Sequence, residues 1–225
     1  GLSIQEDMIP EFINRFNQVV EENSNVIDIG CDHGLLDIYL TLNKNCYCIA
    51  SDVNKNAIEQ ARNNFQKMKL NIPTYISDGL NEFEIPEKAT CVIAGMGTST
   101  IVQILENNKV NQVHSFIIQT NNDYYMLRKF MVTHGFYIEN ELTFIDKYIR
   151  YIIIKFRRGE KKYNDMELIL GPILIKNVIE NKDYLEEKYE ENKKVLKNIP
   201  SVYLKKRIYL KKINKFIKKL LSTVS

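Results

Sequence analysis

The sequence predicts an α/β fold, a doubly wound and mostly parallel sheet followed by a helical appendage. Short apolar runs alternate with helix-period segments up to about residue 133, which is the pattern of βαβ units. Two later apolar runs, 136–144 and 148–156, have only Ile145, Asp146 and Lys147 between them. So short a connection permits only antiparallel pairing. From about residue 161 the periodicity is helical throughout.

Each element has its own signal. Ile9, Phe12, Ile13, Phe16, Val19 and Val20 recur at helical spacing, with Pro10 near the start. Strands are expected at 26–29, 46–51, 74–76, 90–94 and 115–119. A helix is expected from His33 to about Leu42. Ile58, Ala61, Phe65 and Met68 mark the next helix, Ile101, Ile104 and Leu105 another, and Leu127, Phe130 and Met131 the one before the hairpin. A parallel sheet closed by an antiparallel hairpin resembles class I methyltransferases in strand order, whereas dinucleotide dehydrogenases usually close with parallel strands.

Composition narrows the class further. At 225 residues the chain accommodates a full domain, 1–160, and an appendage, 161–225. The apolar share of 44% supports a core, and no apolar run approaches the ~20 residues of a membrane span. No secretory signal is visible, so a cytoplasmic protein is expected. Cys31, Cys46, Cys48 and Cys91 follow no zinc or redox spacing and are expected to be reduced and structural; no metal is expected. The charge is asymmetric. Residues 1–159 hold 15 Lys/Arg against 19 Asp/Glu, whereas 160–225 hold 16 against 9. A basic tail on a mildly acidic body points to a polyanionic partner; a solvated helix face is the plain alternative.

The loop after the first strand reads Asp28-Ile29-Gly30-Cys31-Asp32-His33-Gly34, and Asp52 ends the second strand 22 residues after Gly30. This pairing holds a nucleotide-like cofactor at a sheet edge. The dinucleotide fingerprint needs glycine at the first, third and sixth positions, and counting from Gly30 these hold Gly30, Asp32 and Leu35. A carboxylate from Asp32 would repel a pyrophosphate. S-adenosyl-L-methionine has a sulfonium cation and no phosphate, and suits an acidic loop. Asp28 and Gly30 would approach its methionine end, Asp52 its ribose hydroxyls, and Asp78 its adenine amino group, with Gly79 allowing the turn. For each aspartate alone, a helix N-cap is the alternative.

Ala94-Gly95-Met96-Gly97 ends the fourth strand, where class I enzymes place catalytic groups. Its two glycines let the backbone approach a flat ring and offer N–H groups to it. The Asn/Asp-Pro-Pro-Tyr/Phe motif of exocyclic-nitrogen methylation is missing, which favours a ring nitrogen as acceptor.

Taken together, Asp28-Ile29-Gly30-Cys31-Asp32-His33, Asp78-Gly79-Leu80, Ala94-Gly95-Met96-Gly97, Gln119-Thr120-Asn121 and Leu170-Gly171-Pro172 make the chain resemble the bacterial TrmK family. The resemblance covers most of the chain. It implies a class I (Rossmann-like) methyltransferase sheet with a C-terminal antiparallel, coiled-coil-like helical domain. It also implies transfer of a methyl group from S-adenosyl-L-methionine to N1 of the adenine at position 22 of tRNA. Asp32 then corresponds to the acidic residue near the acceptor nitrogen, a base or a stabiliser of the cation formed. Asn121 would orient the adenine through its amino group, and Gly97 completes the catalytic set. Gly95, Met96 and His33 join the cofactor set; His33 either assists the carboxylate, walls the pocket, or bonds to backbone. Thr120 stands where the family has proline, and Thr98 where it usually has a third glycine.

In the tail, residues 192–225 hold 11 basic residues and no acidic one. They would lie opposite an apolar face of Val202, Tyr209, Ile213, Phe216 and Leu220, with Leu185, Tyr189 and Leu196 on a partner helix. Such a stripe suits RNA phosphates. A membrane-surface helix is the secondary reading. Tyr203 is expected to be packed, with base stacking as the alternative. The expected partner is tRNA, the expected state a monomer. The rival functions are methylation of another RNA base or a small molecule, and RNA binding without turnover.

Overall fold

The computed structural model describes residues 10–225. Its strands are β1 (Asn25–Ile29), β2 (Tyr47–Asp52), β3 (Thr74–Ile76), β4 (Thr90–Met96), β5 (Ser115–Thr120), β6 (Phe136–Asp146) and β7 (Ile149–Arg158). They form one sheet in the order β3-β2-β1-β4-β5-β7-β6. The pairs β3–β2, β2–β1, β1–β4 and β4–β5 are parallel, and β7 runs antiparallel to β5. The order reverses between β1 and β4, the point where open α/β sheets hold their ligands. Every residue of β5 is buried, so both sheet faces are covered there. That burial explains why the strands read as continuous apolar runs.

The intervening helices are α1 (Glu11–Val19), α2 (Leu35–Lys44), α3 (Lys55–Lys67), α4 (Thr98–Leu105) and α5 (Tyr124–Thr133). On α1, Phe16 and Val19 are buried, and the Phe12 ring packs against Phe144 and Tyr151 of the closing hairpin. Ile9, expected on the same stripe, lies outside the described residues.

Two boundaries differ from expectation for a physical reason. The hairpin strands run longer, leaving only Lys147 and Tyr148 in the turn, with φ 49° and 66°. Two left-handed residues are what a two-residue turn between twisted strands requires. The fourth strand continues through Gly95 and Met96, with a register shift against β5 between Ile93 and Met96. The expected loop is thus a bulged strand end, which re-aims the chain locally.

The chain divides into two compact units. The first extends to Asn140 and takes in Phe144–Lys161; the second comprises Glu141–Thr143 and Lys162–Ser225. The second unit contains α6 (Asp165–Leu170), α7 (Pro172–Lys176), α8 (Lys182–Asn198) and α9 (Leu204–Ser222). Asn164 and Glu167 close a reciprocal capping box at the start of α6. Gly171, at φ 101°, breaks the helix and Pro172 starts the next, so Leu170-Gly171-Pro172 is a kink inside this unit. The helices α8 and α9 are antiparallel: Arg207 Nη1 donates to Leu196 O at 2.8 Å, and Asn214 Nδ2 to Tyr189 O at 3.1 Å.

The expected apolar face of α9 is corrected. The buried positions are Leu210, Ile213, Asn214 and Ile217, while Val202 and Tyr209 are exposed. Asn214 is drawn in because it also accepts from Asn192 Nδ2 at 2.9 Å. A buried amide so paired satisfies its polar atoms and sets the helix rotation.

Candidate active site

The loop after β1 is laced onto the end of β2. The Gly30 and Cys31 N–H groups both donate to Ser51 O, at 2.8 and 2.9 Å. Gly30 needs φ 79°, and a Cβ there would come within 2.8 Å of the Met96 terminal methyl. Asp32 is itself left-handed at φ 50°, a conformation aspartate tolerates. Its N–H donates to Asp52 Oδ2 at 3.1 Å, while Asp52 Oδ1 accepts from Asn54 N–H at 2.9 Å. A carboxylate offers about four lone-pair positions. Asp52 therefore retains acceptors for a bound hydroxyl.

The helix-cap alternative fails for these aspartates. Asn54 caps α3 through its own side chain, and α2 starts at Gly34 with no side-chain cap. Asp28 and Asp32 are consequently not caps, and Asp52 binds the turn ahead of one.

One cleft at the switch point gathers Gly30, Asp52, Asp78, Gly79 and Met96, together with Thr100, Gln103 and Ile104 of α4. It measures about 200 Å³ and runs into a second hollow of about 190 Å³ that shares Asp78, Gly79, Gln103 and Ile104. Together they reach the size of a small-molecule site. Their walls carry three carboxylates, Asp52, Asp78 and Glu106, and no Lys or Arg. That charge pattern fits a cationic, phosphate-free nucleoside and opposes a pyrophosphate.

Three expected residues, Asp28, Asp32 and His33, are not among those lining the cleft. Asp28 is buried on β1 against Asp37 of α2, which is fully buried. Burial above all, then the Asp52 and Asp32 charges, pushes Asp28 up to about 6, although the neighbouring Asp37 carboxyl acts in the opposite direction. Asp37 lies well above the carboxylate range, through burial and the Asp28 charge. Asp32 and His33 stand at the exposed rim, with Nε2 of His33 3.5 Å from Asp32 Oδ1. The backbone carbonyl of His33 accepts from Asn64 Nδ2 at 2.8 Å.

The remaining group joins the ends of β4 and β5. Asn121 N–H donates to Met96 O at 2.9 Å, and its Nδ2 to Gly95 O at 3.0 Å. Buried Gln119 accepts from Gly95 N–H at 2.8 Å and donates to Asn121 Oδ1 at 3.2 Å. The Gly95 N–H is thus committed inside the protein, contrary to the expectation that it meets the acceptor ring. Gly97 has an ordinary φ of −76° and opens α4, its carbonyl accepting from Ile101 N–H at 3.1 Å. Gln119 and Gly95 O together fix the orientation of the Asn121 amide, Oδ1 toward Gln119 and Nδ2 toward Gly95, and sequence reasoning missed that role of Gln119.

Thr98 and Thr120, the two departures from the family pattern, touch each other. Their hydroxyls are 2.8 Å apart, and Thr98 Oγ1 donates to Asn122 O at 2.6 Å. Each thus supplies a buried partner for the other. Thr98→Ala should cost about 0.5–1.5 kcal/mol in denaturant unfolding, since it removes a buried hydrogen bond while Thr120 Oγ1 still donates to Asn122 O at 2.9 Å. No loss of stability would show that the pair is idle.

The four cysteines are free and buried. Among the described residues no three His, Cys, Asp or Glu side chains are grouped to hold a metal ion. No helix among them is long and apolar enough to cross a membrane.

The strand order and the acidic cleft at its reversal define a class I methyltransferase domain. The comparisons narrow this. The family described as TrmK, tRNA (adenine(22)-N(1))-methyltransferase, matches residues 26–222, and the chain belongs to it. A candidate tRNA methyltransferase of Mycoplasma genitalium, MG248, is 37% identical over 158 residues, covering 67% of this chain and 70% of that protein. Sp1610 of Streptococcus pneumoniae, a candidate tRNA (m1A22) methyltransferase, is 28% identical with a TM-score of 0.86 over 95% of this chain and all 100% of its own. TrmK of M. capricolum, solved with S-adenosyl-homocysteine, is 26% identical with a TM-score of 0.82, over 94% and 98%. Sp1610 has also been solved with S-adenosyl-L-methionine.

Proposed function

We propose a division of labour for the methyl transfer to N1 of adenine 22 in tRNA that membership of this family assigns to the chain. The observation that carries it is the acidic cleft at the β1/β4 switch point, with Asp52 and Asp78 on its walls and no basic residue. S-adenosyl-L-methionine supplies a methyl group on a sulfonium cation. Asp52 holds the ribose hydroxyls and Asp78 the adenine amino group. Asp28 provides buried negative charge for the cationic methionine end. Gly30, Gly79, Gly95, Met96 and His33 shape the walls.

The acceptor side is built separately. Methyl transfer is an in-line displacement, so positioning does much of the work. The adenine N1 lone pair would form the new bond as the sulfonium S–CH3 bond breaks with its electron pair staying on sulfur, leaving a neutral thioether and a cationic ring. Asp32, exposed at the rim, stabilises that cation or takes the proton it sheds. Asn121 Oδ1 keeps one lone pair free of Gln119 to accept from the adenine amino group. Gly97 lets the ring approach the strand end. The basic face of α8 and α9 holds tRNA phosphates, and a single chain acts on a single tRNA.

The test is transfer of labelled methyl to unmodified tRNA, followed by nucleoside analysis and mapping. N1-methyladenosine at position 22 is expected. Labelled product at another base would sink this reading, and so would its absence under saturating cofactor.

A further inference from the structure

The turn between α8 and α9 carries an apolar surface that packing leaves outside. Val202, Tyr203, Leu204 and Ile208 are 77%, 58%, 65% and 66% exposed. Single exposed apolar residues are ordinary, but a contiguous group marks an interaction site. The backbone beneath is fixed. Tyr203 N–H donates to Pro200 O at 3.2 Å and Leu204 N–H to Val202 O at 2.9 Å. Arg207 ties the start of α9 to α8 through Leu196 O. The side chains therefore stand outward from a rigid tip, with little ordering cost on binding.

The charge around this tip selects its occupant. Lys197, Lys205, Lys206 and Lys211 are exposed beside it, and no acidic residue follows Glu191. A second copy of this chain would set two like-charged tips against each other. Nucleotides released from a stack offer what the tip lacks: flat apolar faces joined by phosphates. A tyrosine ring between lysines is the combination that binds unpaired bases.

We propose that this tip binds unpaired nucleotides of a tRNA loop, with Tyr203 stacking on a base and Lys205 and Lys206 holding the flanking phosphates. This deepens, and rests on, the tRNA-binding reading of the second unit. It also reverses the expectation that Tyr203 is packed.

The test uses the full chain and unmodified tRNA, with affinity measured over a salt series. Tyr203→Ala should weaken binding about 5- to 150-fold with an unchanged salt slope. Tyr203→Phe should bind like the parent, because the ring remains. Lys205→Ala with Lys206→Ala should lower the slope by about 1 per lysine. Cofactor affinity should not move in any variant. Parent-like binding by Tyr203→Ala while the lysine variant loses slope would overturn stacking and leave phosphate binding by the tail standing. No change in either variant would overturn the tail reading as well. Concentration-dependent dimers abolished by Tyr203→Ala would assign the tip to self-association and end the proposal.

Discussion

Asp32→Asn should lower methyl transfer to tRNA by about 10²–10⁴-fold, the range of a lost acid–base or charge-stabilising group. The fold should not register the change. The Asp32 side chain is 77% exposed, and its tie to Asp52 runs through the backbone N–H, which asparagine keeps. Asparagine also tolerates the left-handed backbone at this position. Melting temperature and cofactor affinity should therefore match the parent while kcat falls. Unchanged turnover would remove Asp32 from the mechanism.

The second large effect concerns Asp28 and Asp37. Burial lifts Asp28 from an ordinary 3.8 to about 6. A carboxyl raised in the folded state contributes stability that is fully present below the unfolded value and is lost as pH rises through the folded one. Comparing the parent with Asp28→Asn should therefore show the parent losing on the order of 2–3 kcal/mol between about pH 4 and 6. Burial holds the Cys31, Cys48 and Cys91 thiols well above their ordinary range, so none of them titrates in that window. Asp37→Asn should make the fold more stable at pH 8, since it removes the second buried acid beside Asp28. Function should run the other way. A cationic cofactor end favours ionised Asp28, so cofactor affinity should climb through pH 6 in the parent and stay flat in Asp28→Asn. Calorimetric titration and denaturant unfolding from pH 4 to 8 would check both. A parent whose stability rises over that window relative to Asp28→Asn would refute the raised carboxyl.

Much of the cleft was legible because its determinants are local. A strand followed by Gly30 and ended by Asp52 or Asp78 has the same meaning wherever the sheet packs. The hairpin was legible because three intervening residues forbid a crossover. Asp37 was missed although a signal existed. It is an acid inside the apolar run Leu35-Leu36-Asp37-Ile38-Tyr39-Leu40, where a solvent-facing position would be the first guess. Its burial depends on Asp28, which lies on another element. Gln119 was quoted for the family pattern, but the bond by which it ties Gly95 of β4 to β5 has no sequence signature.

The sequence by itself determined the alternation of strands and helices, the antiparallel closure, the acidic phosphate-averse loop and the basic tail. These follow from periodicity, connection length and charge, which are properties of contiguous residues. The tertiary structure alone decided that Asp28, on β1, is buried while Asp32, four residues on in the following loop, faces outward. It also decided which stripe of α9 is covered. Apolar residues on that helix allow more than one face, and the Asn214 bonds to Asn192 and Tyr189 select the one containing Leu210, Ile213 and Ile217. A choice between faces of similar hydropathy rests with the partner helix, and it left Tyr203 exposed at the tip.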